Sequence, residues 1–351
     1  MESILVINAG STSLKYVQLD FGNLEVVKQE VIRNIGTKVP DHNAAWQQMM
    51  KDLGDNLNLK AVGHRLVHGG TEFVEPTLLN EEILSRLARY NELAPLHNPP
   101  GLACIEASFQ NLGTDIPNIA VFDTAFYKDL PELAYRYALP PDLMKKYGIR
   151  RFGFHGISHH SVSLQAAAKL GKDISELNLI TIHLGGGASM TAVQKGKAVD
   201  TSMGFTPIEG LVMMTRSGDI DVTIPLYLQR KEGMSVDEVY HMLNKESGMC
   251  GLSGICSGMI EIQDAARSGN KMAQFALDYY AYHIRKYIGS YLAVLGSVDS
   301  IVFTGAIGYG SQTVRDLVTK DFEMIKNIPI HHFQPEEEKL IARDIIKLLQ
   351  K

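Results

Sequence analysis

The chain has 351 residues, 45% of them hydrophobic, and a formal net charge of −5. That length exceeds one ordinary core, so two domains are expected, and the absence of a basic stripe excludes a nucleic-acid partner. No segment reaches the ~20 apolar residues that span a bilayer, which excludes a membrane partner, and Met1 leads into an apolar run without a basic leader. Cys104, Cys250 and Cys256 are too few and too irregular for a disulfide framework or a cysteine zinc site. The expectation is a soluble cytoplasmic protein with small-molecule partners.

The first apolar run, "ILVINAGSTSLKYVQLD" (4–20), breaks at Asn8, passes Gly10, Ser11, Thr12 and Ser13, and resumes as a strand carrying Lys15. Such a turn reads either as an ordinary hairpin or as a phosphate cradle, in which Gly admits an anion to the backbone and hydroxyls and an ammonium supply donors. A third strand follows over 24–32, then a helix near 44–53, strands over 59–67 and 118–126, and helices over 81–93 and 102–112 between them. The stretch 179–202, "LITIHLGGGASMTAVQKGKAVDTS", repeats the opening plan. His183, Gly185 and Ser189 mirror Asn8, Gly10 and Ser13, with one extra residue expected in the second turn. Two such hairpins suggest two related α/β domains facing one cleft.

Further on, 270–296 has a helical period with a Met/Tyr stripe, the pattern of a core-facing helix. "SIVFTGAIGYGS" (300–311) reads as a strand entering a Gly-rich turn before a helix from Gln312, a third candidate contact for an anion or nucleotide. A last helix starts near Glu336, after Pro335.

Six segments occur in order: "VGHRLVHGG" (62–70), "APLHNPP" (94–100), "VFDTAF" (121–126), "RRFGFHGISHH" (150–160), "VDTSMGFTPIEGLV" (199–212) and "TRSGDID" (215–221). Together they resemble the acetate and propionate kinase family, within the superfamily of sugar kinases and actin, over nearly the whole chain. The resemblance implies two ribonuclease-H-like domains, 1–124 with helix 336–351 packed back on it and 125–335 on the nucleotide side. It implies reversible phosphoryl transfer between ATP and acetate, or another short carboxylate, with Mg²⁺ (Mn²⁺ as a substitute), in a homodimer.

The same resemblance implies the site. Arg65 and Arg216 match the family's active-site arginines, whose planar forks bind carboxylate and phosphoryl oxygens bidentately. His155 matches its histidine and Asp123 its active-site acid. A carboxylate substrate is already ionised at neutral pH, so Asp123 is expected to orient Arg65 or a metal-bound water instead of acting as a base. Asn8 and Glu337 match the Mg²⁺ positions, with Glu336 and Glu338 leaving the register open by one residue. Ser11, Ser13 and Lys15 match one phosphate turn, and His183, Gly185, Gly186 and Gly187 a second. Gly305, Ala306, Ile307 and Gly308 match the adenosine side, while Val67, Leu96, Phe154 and Pro207 match the apolar pocket for the acetate methyl.

Departures cluster on the nucleotide side. Gly186 stands where the family usually has Asn; Ala306, Tyr309 and Gly310 alter the adenosine turn; "CSGMIEI" (256–262) lacks the usual Asp and Arg; and Met214 replaces a Gly. These changes favour an altered donor, GTP or pyrophosphate, as an alternative to ATP, beside the alternatives of a propionate kinase or a catalytically weak sensor. A sugar or glycerol kinase would share the fold but lack the Arg65, His155 and Arg216 set.

Overall fold

The computed structural model describes residues 1–54, 57–95 and 97–350. They form two compact units, residues 1–128 with 336–351 and residues 129–335. Among the described residues no helix is long and apolar enough to cross a membrane.

In the first unit β1 (Ser3–Ala9), β2 (Ser13–Asp20) and β3 (Val26–Arg33) form an antiparallel meander. Next come β4 (Leu59–Leu66), the two-residue β5 (Thr77–Leu78) and β6 (Asn118–Phe122), giving the order β3-β2-β1-β4-β6-β5 with β1, β4 and β6 parallel. Alternation along the strands assigns the two faces. Leu5, Ile7, Leu14 and Tyr16 share a core with Trp46 and Met49 of α1 (His42–Leu53) and with Cys104 and Ala107 of α2 (Asn98–Leu112). Helix α2 starts four residues before the expected 102, because Pro99 and Pro100 fit a first turn whose N–H groups have no partner anyway. The stretch expected as one helix over 81–93 ends as α-helix at Leu87 and tightens into a 3₁₀ turn at Ala88–Tyr90.

The other face is covered by the last helix, Glu337–Leu349. It can approach because Gly63 of β4 has no side chain. A Cβ there would lie 2.4 Å from Ile345 Cδ1 and 3.1 Å from Ile341 Cγ2.

The second unit repeats the plan. Strands β7 (Asn178–Leu184), β8 (Ala188–Gln194) and β9 (Lys197–Thr201) form a meander, and β10 (Ser300–Thr304) and β11 (Ile330–His332) continue in parallel beyond β7, in the order β11-β10-β7-β8-β9. Apart from edge strand β5, both sheets have the same meander-plus-parallel order, and the chain is an α/β protein of two ribonuclease-H-like domains. Helix α3 (Gly156–Leu170) packs on β7 and β10, and α4 (Lys271–Leu295) on β8 and β7. The core face of α4 carries Tyr280, Ile284, Ile288 and Tyr291, but Met272, Phe275 and Tyr282 are exposed, so the expected stripe is core only in part.

Three expectations are corrected here. The extra turn residue belongs to the first hairpin: Asn8 pairs with Lys15, seven positions on, but His183 pairs with Ser189, six on. The first turn closes from Gly10 N–H to the Ser13 carbonyl, the second more tightly from Gly185 N–H to the Gly187 carbonyl, so Ser189 takes the lattice position of Lys15, not of Ser13. The Gly-rich turn after β10 is a helix, α5 (Gly305–Gly310). Gly305 has φ +79°, and a Cβ on it would lie 2.5 Å from the Leu184 carbonyl oxygen, so only glycine lets the chain turn there. Finally, Cys250 and Cys256 form a disulfide, their Cα atoms 4.5 Å apart. Their spacing needs only a local reversal, which Gly254 supplies at φ +71°.

The approach at Gly63 is directly testable. Gly63→Ala should lower stability in urea by roughly 1–3 kcal/mol through overpacking, and Ile345→Ala should recover part of that loss in the double variant. Additive losses would show that the close approach is not what Gly63 provides.

Candidate active site

In the first unit, Lys15, Asn8 and Arg65 are register neighbours on β2, β1 and β4, so their side chains project from the same face near the carboxyl ends of the parallel strands. That face is the one beneath the start of the last helix. Arg65 is held in a fork. Its Nε and Nη2 donate to Asp123 Oδ1 and Oδ2 at 3.0 and 2.7 Å, and Nη1 donates to Glu337 Oε2 at 3.0 Å. Burial pulls against the charged form, but Asp123 and Glu337 outweigh it and hold the guanidinium pKa above the ordinary arginine value. Asp123 is itself buried, just beyond the end of β6.

The three consecutive glutamates divide by partner: Glu337 to Arg65, Glu338 to Lys15 at 2.5 Å and Glu336 to Lys339 at 2.8 Å. The Lys15 ammonium therefore lies against a carboxylate. Ser11 is exposed and Ser13 half-buried. A residue that the sequence did not single out, His42 at the start of α1, tethers this turn by a 2.7 Å bond from Nε2 to the Gly10 carbonyl. Val67 is half-buried just past β4. Leu96 lies outside the described residues.

In the second unit, His155 precedes α3 with φ +57°, a left-handed conformation that costs a non-glycine residue roughly 1–2 kcal/mol. This backbone position turns its ring onto β7 and β8. The ring stacks on His183 with centroids 4.3 Å apart, and its Nδ1 lies 2.8 Å from Ser189 Oγ. Beneath it, His159 places Nε2 2.8 Å from the same Ser189 Oγ and Nδ1 2.7 Å from Thr181 Oγ1, while Ser158 Oγ meets His183 Nδ1 at 2.8 Å. Burial, reinforced by His183, drives the His159 pKa well below the ordinary histidine value, and that ring is neutral.

Gly187 separates His155 from Arg216. A Cβ on it would lie 3.3 Å from His155 Nε2 and 3.5 Å from Arg216 Nη1, so a side chain there would intrude between the two. Arg216 Nη1 donates to the Pro207 carbonyl at 3.2 Å, and among the described residues no carboxylate pairs with Arg216. Burial alone depresses its pKa. Phe154 is buried and Pro207 half-buried beside these groups in the chain. Around Gly186 there is open space, so nothing steric forbids a side chain at that position. In α5, Gly305 and Gly308 are buried, Ile307 half-buried and Ala306 exposed. Arg315, another residue that the sequence did not flag, donates to the Gly308 carbonyl at 2.8 Å and so anchors this helix.

The unit-1 set is thus Asn8, Lys15, Arg65, Asp123 and Glu337, and the unit-2 set is His155, His183, Gly187 and Arg216. Chemically, the first offers a fixed guanidinium between acids, and the second an uncompensated guanidinium beside an imidazole.

The profile of the Acetokinase family matches residues 3–332. The acetate kinase of Coprothermobacter proteolyticus is 41% identical over 99% of each chain, and that of Acetivibrio thermocellus 44% identical over 92% of this chain and 87% of the relative. Among solved structures, Porphyromonas gingivalis acetate kinase superposes with a TM-score of 0.91 at 36% identity, covering 99% of this chain and 100% of that one. A propionate kinase from Francisella tularensis gives 0.93 at 34%, covering 98% and 99%.

The strain at His155 predicts an order of stabilities. With the side chain removed in both variants, His155→Gly should unfold at higher denaturant than His155→Ala, by about 1 kcal/mol, because only Ala retains the left-handed penalty. Equal or reversed midpoints would contradict it.

Proposed function

Because the chain belongs to the Acetokinase family and carries out its reaction, the ATP-dependent phosphorylation of acetate, we propose that its two units divide the work. The reaction forms a bond between an acetate oxygen and the γ-phosphorus of ATP and breaks the bond from that phosphorus to the β,γ-bridging oxygen, releasing ADP. Acetate enters ionised, so no base is required. What the loose transition state needs is positive charge and hydrogen-bond donors on its equatorial oxygens.

The observation that carries this reading is the contrast between the two arginines. Arg216, half-buried and without a carboxylate among the described residues, has its charge available for an anion. It is the donor to the phosphoryl group in flight, with His155 beside it. Arg65 is already neutralised by Asp123 and Glu337 and serves as an oriented fork for the acetate carboxylate or the acyl phosphate. The apolar residues implied for the methyl group are Val67 in the first unit and Phe154 with Pro207 in the second. Gly185, Gly186, Gly187 and His183, with Gly305 to Gly308, line the nucleotide side.

A divalent cation suits the first set. Mg²⁺ takes one or two carboxylates together with phosphate oxygens and water, so it needs no dedicated cage. The Asn8 amide oxygen and Glu337 carboxylate are hard oxygen donors joined through Arg65, the register partner of one and ion-pair partner of the other. These residues would hold Mg²⁺. The ion would neutralise charge on the ATP phosphates. ATP remains the donor best supported by the relatives, despite the altered residues Ala306, Tyr309 and Gly310.

Oligomeric state is a further part of this reading. Helix Thr223–Glu232 has no buried residue, yet it exposes Ile224, Leu226 and Tyr227, with Val222 81% exposed at its start. A second copy of the chain covers this surface in a homodimer. Light scattering should give about twice 38.8 kDa, and Leu226→Asp should shift the mass towards the monomer. A monomer in the wild type at micromolar concentration would refute it.

The arginine contrast predicts different losses. Arg216→Ala should lower acyl phosphate formation, trapped as hydroxamate, by roughly 10²-fold or more with little change in stability, and Arg216→Lys should recover only part. Arg65→Ala should lose activity and also about 3–5 kcal/mol of stability, since Asp123 and Glu337 would remain buried without their cation. Wild-type turnover in Arg216→Ala, with the fold intact, would sink the assignment.

A further inference from the structure

Resting on the reading of His155 as a phosphoryl contact, its position over a buried polar chain has a consequence for the proton that it carries. Four side chains connect in series: Thr181 Oγ1 to His159 Nδ1 at 2.7 Å, His159 Nε2 to Ser189 Oγ at 2.8 Å, and Ser189 Oγ to His155 Nδ1 at 2.8 Å. Thr181, His159 and Ser189 are all 0% exposed, so water does not substitute for a missing link. A hydroxyl brings one proton, and neutral His159 brings one N–H. With every proton in use the three contacts can therefore be satisfied in only two ways, all protons pointing towards His155 or all pointing away; a third way, in which Ser189 accepts from both imidazoles, leaves its own buried proton without an acceptor among the described residues.

Thr181 decides between them. If the protons point away, Thr181 must accept from His159, and its own proton is left with the Thr191 carbonyl at 3.4 Å, at the limit of a hydrogen bond. Pointing towards His155, Thr181 donates to His159 Nδ1, His159 Nε2–H donates to Ser189, and Ser189 donates to His155 Nδ1, each over 2.7–2.8 Å. With Nδ1 accepting, a neutral His155 holds its proton on Nε2. That nitrogen lies on the edge of the ring beside Gly187, on which Arg216 Nη1 also borders.

We propose that Ser189 and His159 are positioning residues that hold neutral His155 in its Nε2–H tautomer, so that it donates a hydrogen bond to the transferred phosphoryl group without first becoming an imidazolium. The register neighbour of Ser189, His183, sets the plane of the ring by stacking, while Ser189 sets its proton. A serine serves here because a small hydroxyl reaches two imidazoles at once.

The test is ring ¹⁵N spectroscopy of the full-length, histidine-labelled protein at neutral pH, with His155 assigned by its loss in His155→Ala. The wild type should show neutral His155 protonated on Nε2. Ser189→Ala should move that proton to Nδ1 or mix the tautomers, and lower kcat about tenfold or more while KM for acetate and ATP changes less than about threefold. His159→Gln, whose amide nitrogen can still donate to Ser189, should keep the wild-type tautomer and most of the turnover; His159→Leu should lose both. A proton on Nδ1 in the wild type overturns the relay whether or not the variants fold, and so does an unchanged tautomer in Ser189→Ala. Wild-type turnover in His155→Ala would instead overturn the phosphoryl contact, so the two failures are told apart.

Discussion

Everything in the first unit's set of site residues hangs on one cation held between two acids. Arg65 sits one residue from the end of a central strand, Asp123 just beyond the neighbouring one, and Glu337, 272 positions after Arg65, opens a helix. Any one of these charges alone would be costly to bury; together they are mutually compensating. Because the fork geometry of guanidinium fits the Asp123 carboxylate at both oxygens, the arrangement fixes direction as well as charge. The glycine at position 63 belongs to the same device, since it sets how near the helix carrying Glu337 can lie.

The second unit solves the opposite problem. Its Arg216 is kept without an acid among the described residues, at a cost in solvation expressed as a depressed pKa, and beside it lie a carbonyl, a thioether, the His155 ring and a glycine. A cation that no carboxylate compensates stays responsive to an incoming anion. The strained backbone of His155 is of a piece with this, since a relaxed residue at that position would not turn its ring onto Ser189.

Much of this was legible beforehand because it lies in local pattern. The alternation of β1 and β2, the repeated hairpin and the periodicity of α4 each follow from residue spacing, and the motifs around Arg65, His155 and Arg216 carried the family. What was not legible depends on contacts distant in sequence. Nothing in "EEE" says that the middle carboxylate meets Arg65, because that depends on the azimuth of a helix packed on Gly63. Ser189 looked like the counterpart of Ser13 because turn length is invisible without strand pairing, and a one-residue difference re-assigns every position beyond it. The helix at Gly305–Gly310 was hidden because a glycine-rich stretch has weak intrinsic preference and adopts what its neighbours impose. The disulfide was missed by counting cysteines over the chain when only the local reversal between two of them mattered.

The sequence distance between Arg65 and its second acid bears on how the molecule comes into being. During synthesis β4 leaves the ribosome long before the helix that covers it, and the whole second unit, residues 129–335, must be made in between. Throughout that interval the groove at Gly63 lacks Ile341 and Ile345, and Arg65 has only Asp123. A nascent first unit is therefore an incomplete body with an open apolar trough. A truncated translation product would carry the motifs of the site without its finished charge balance.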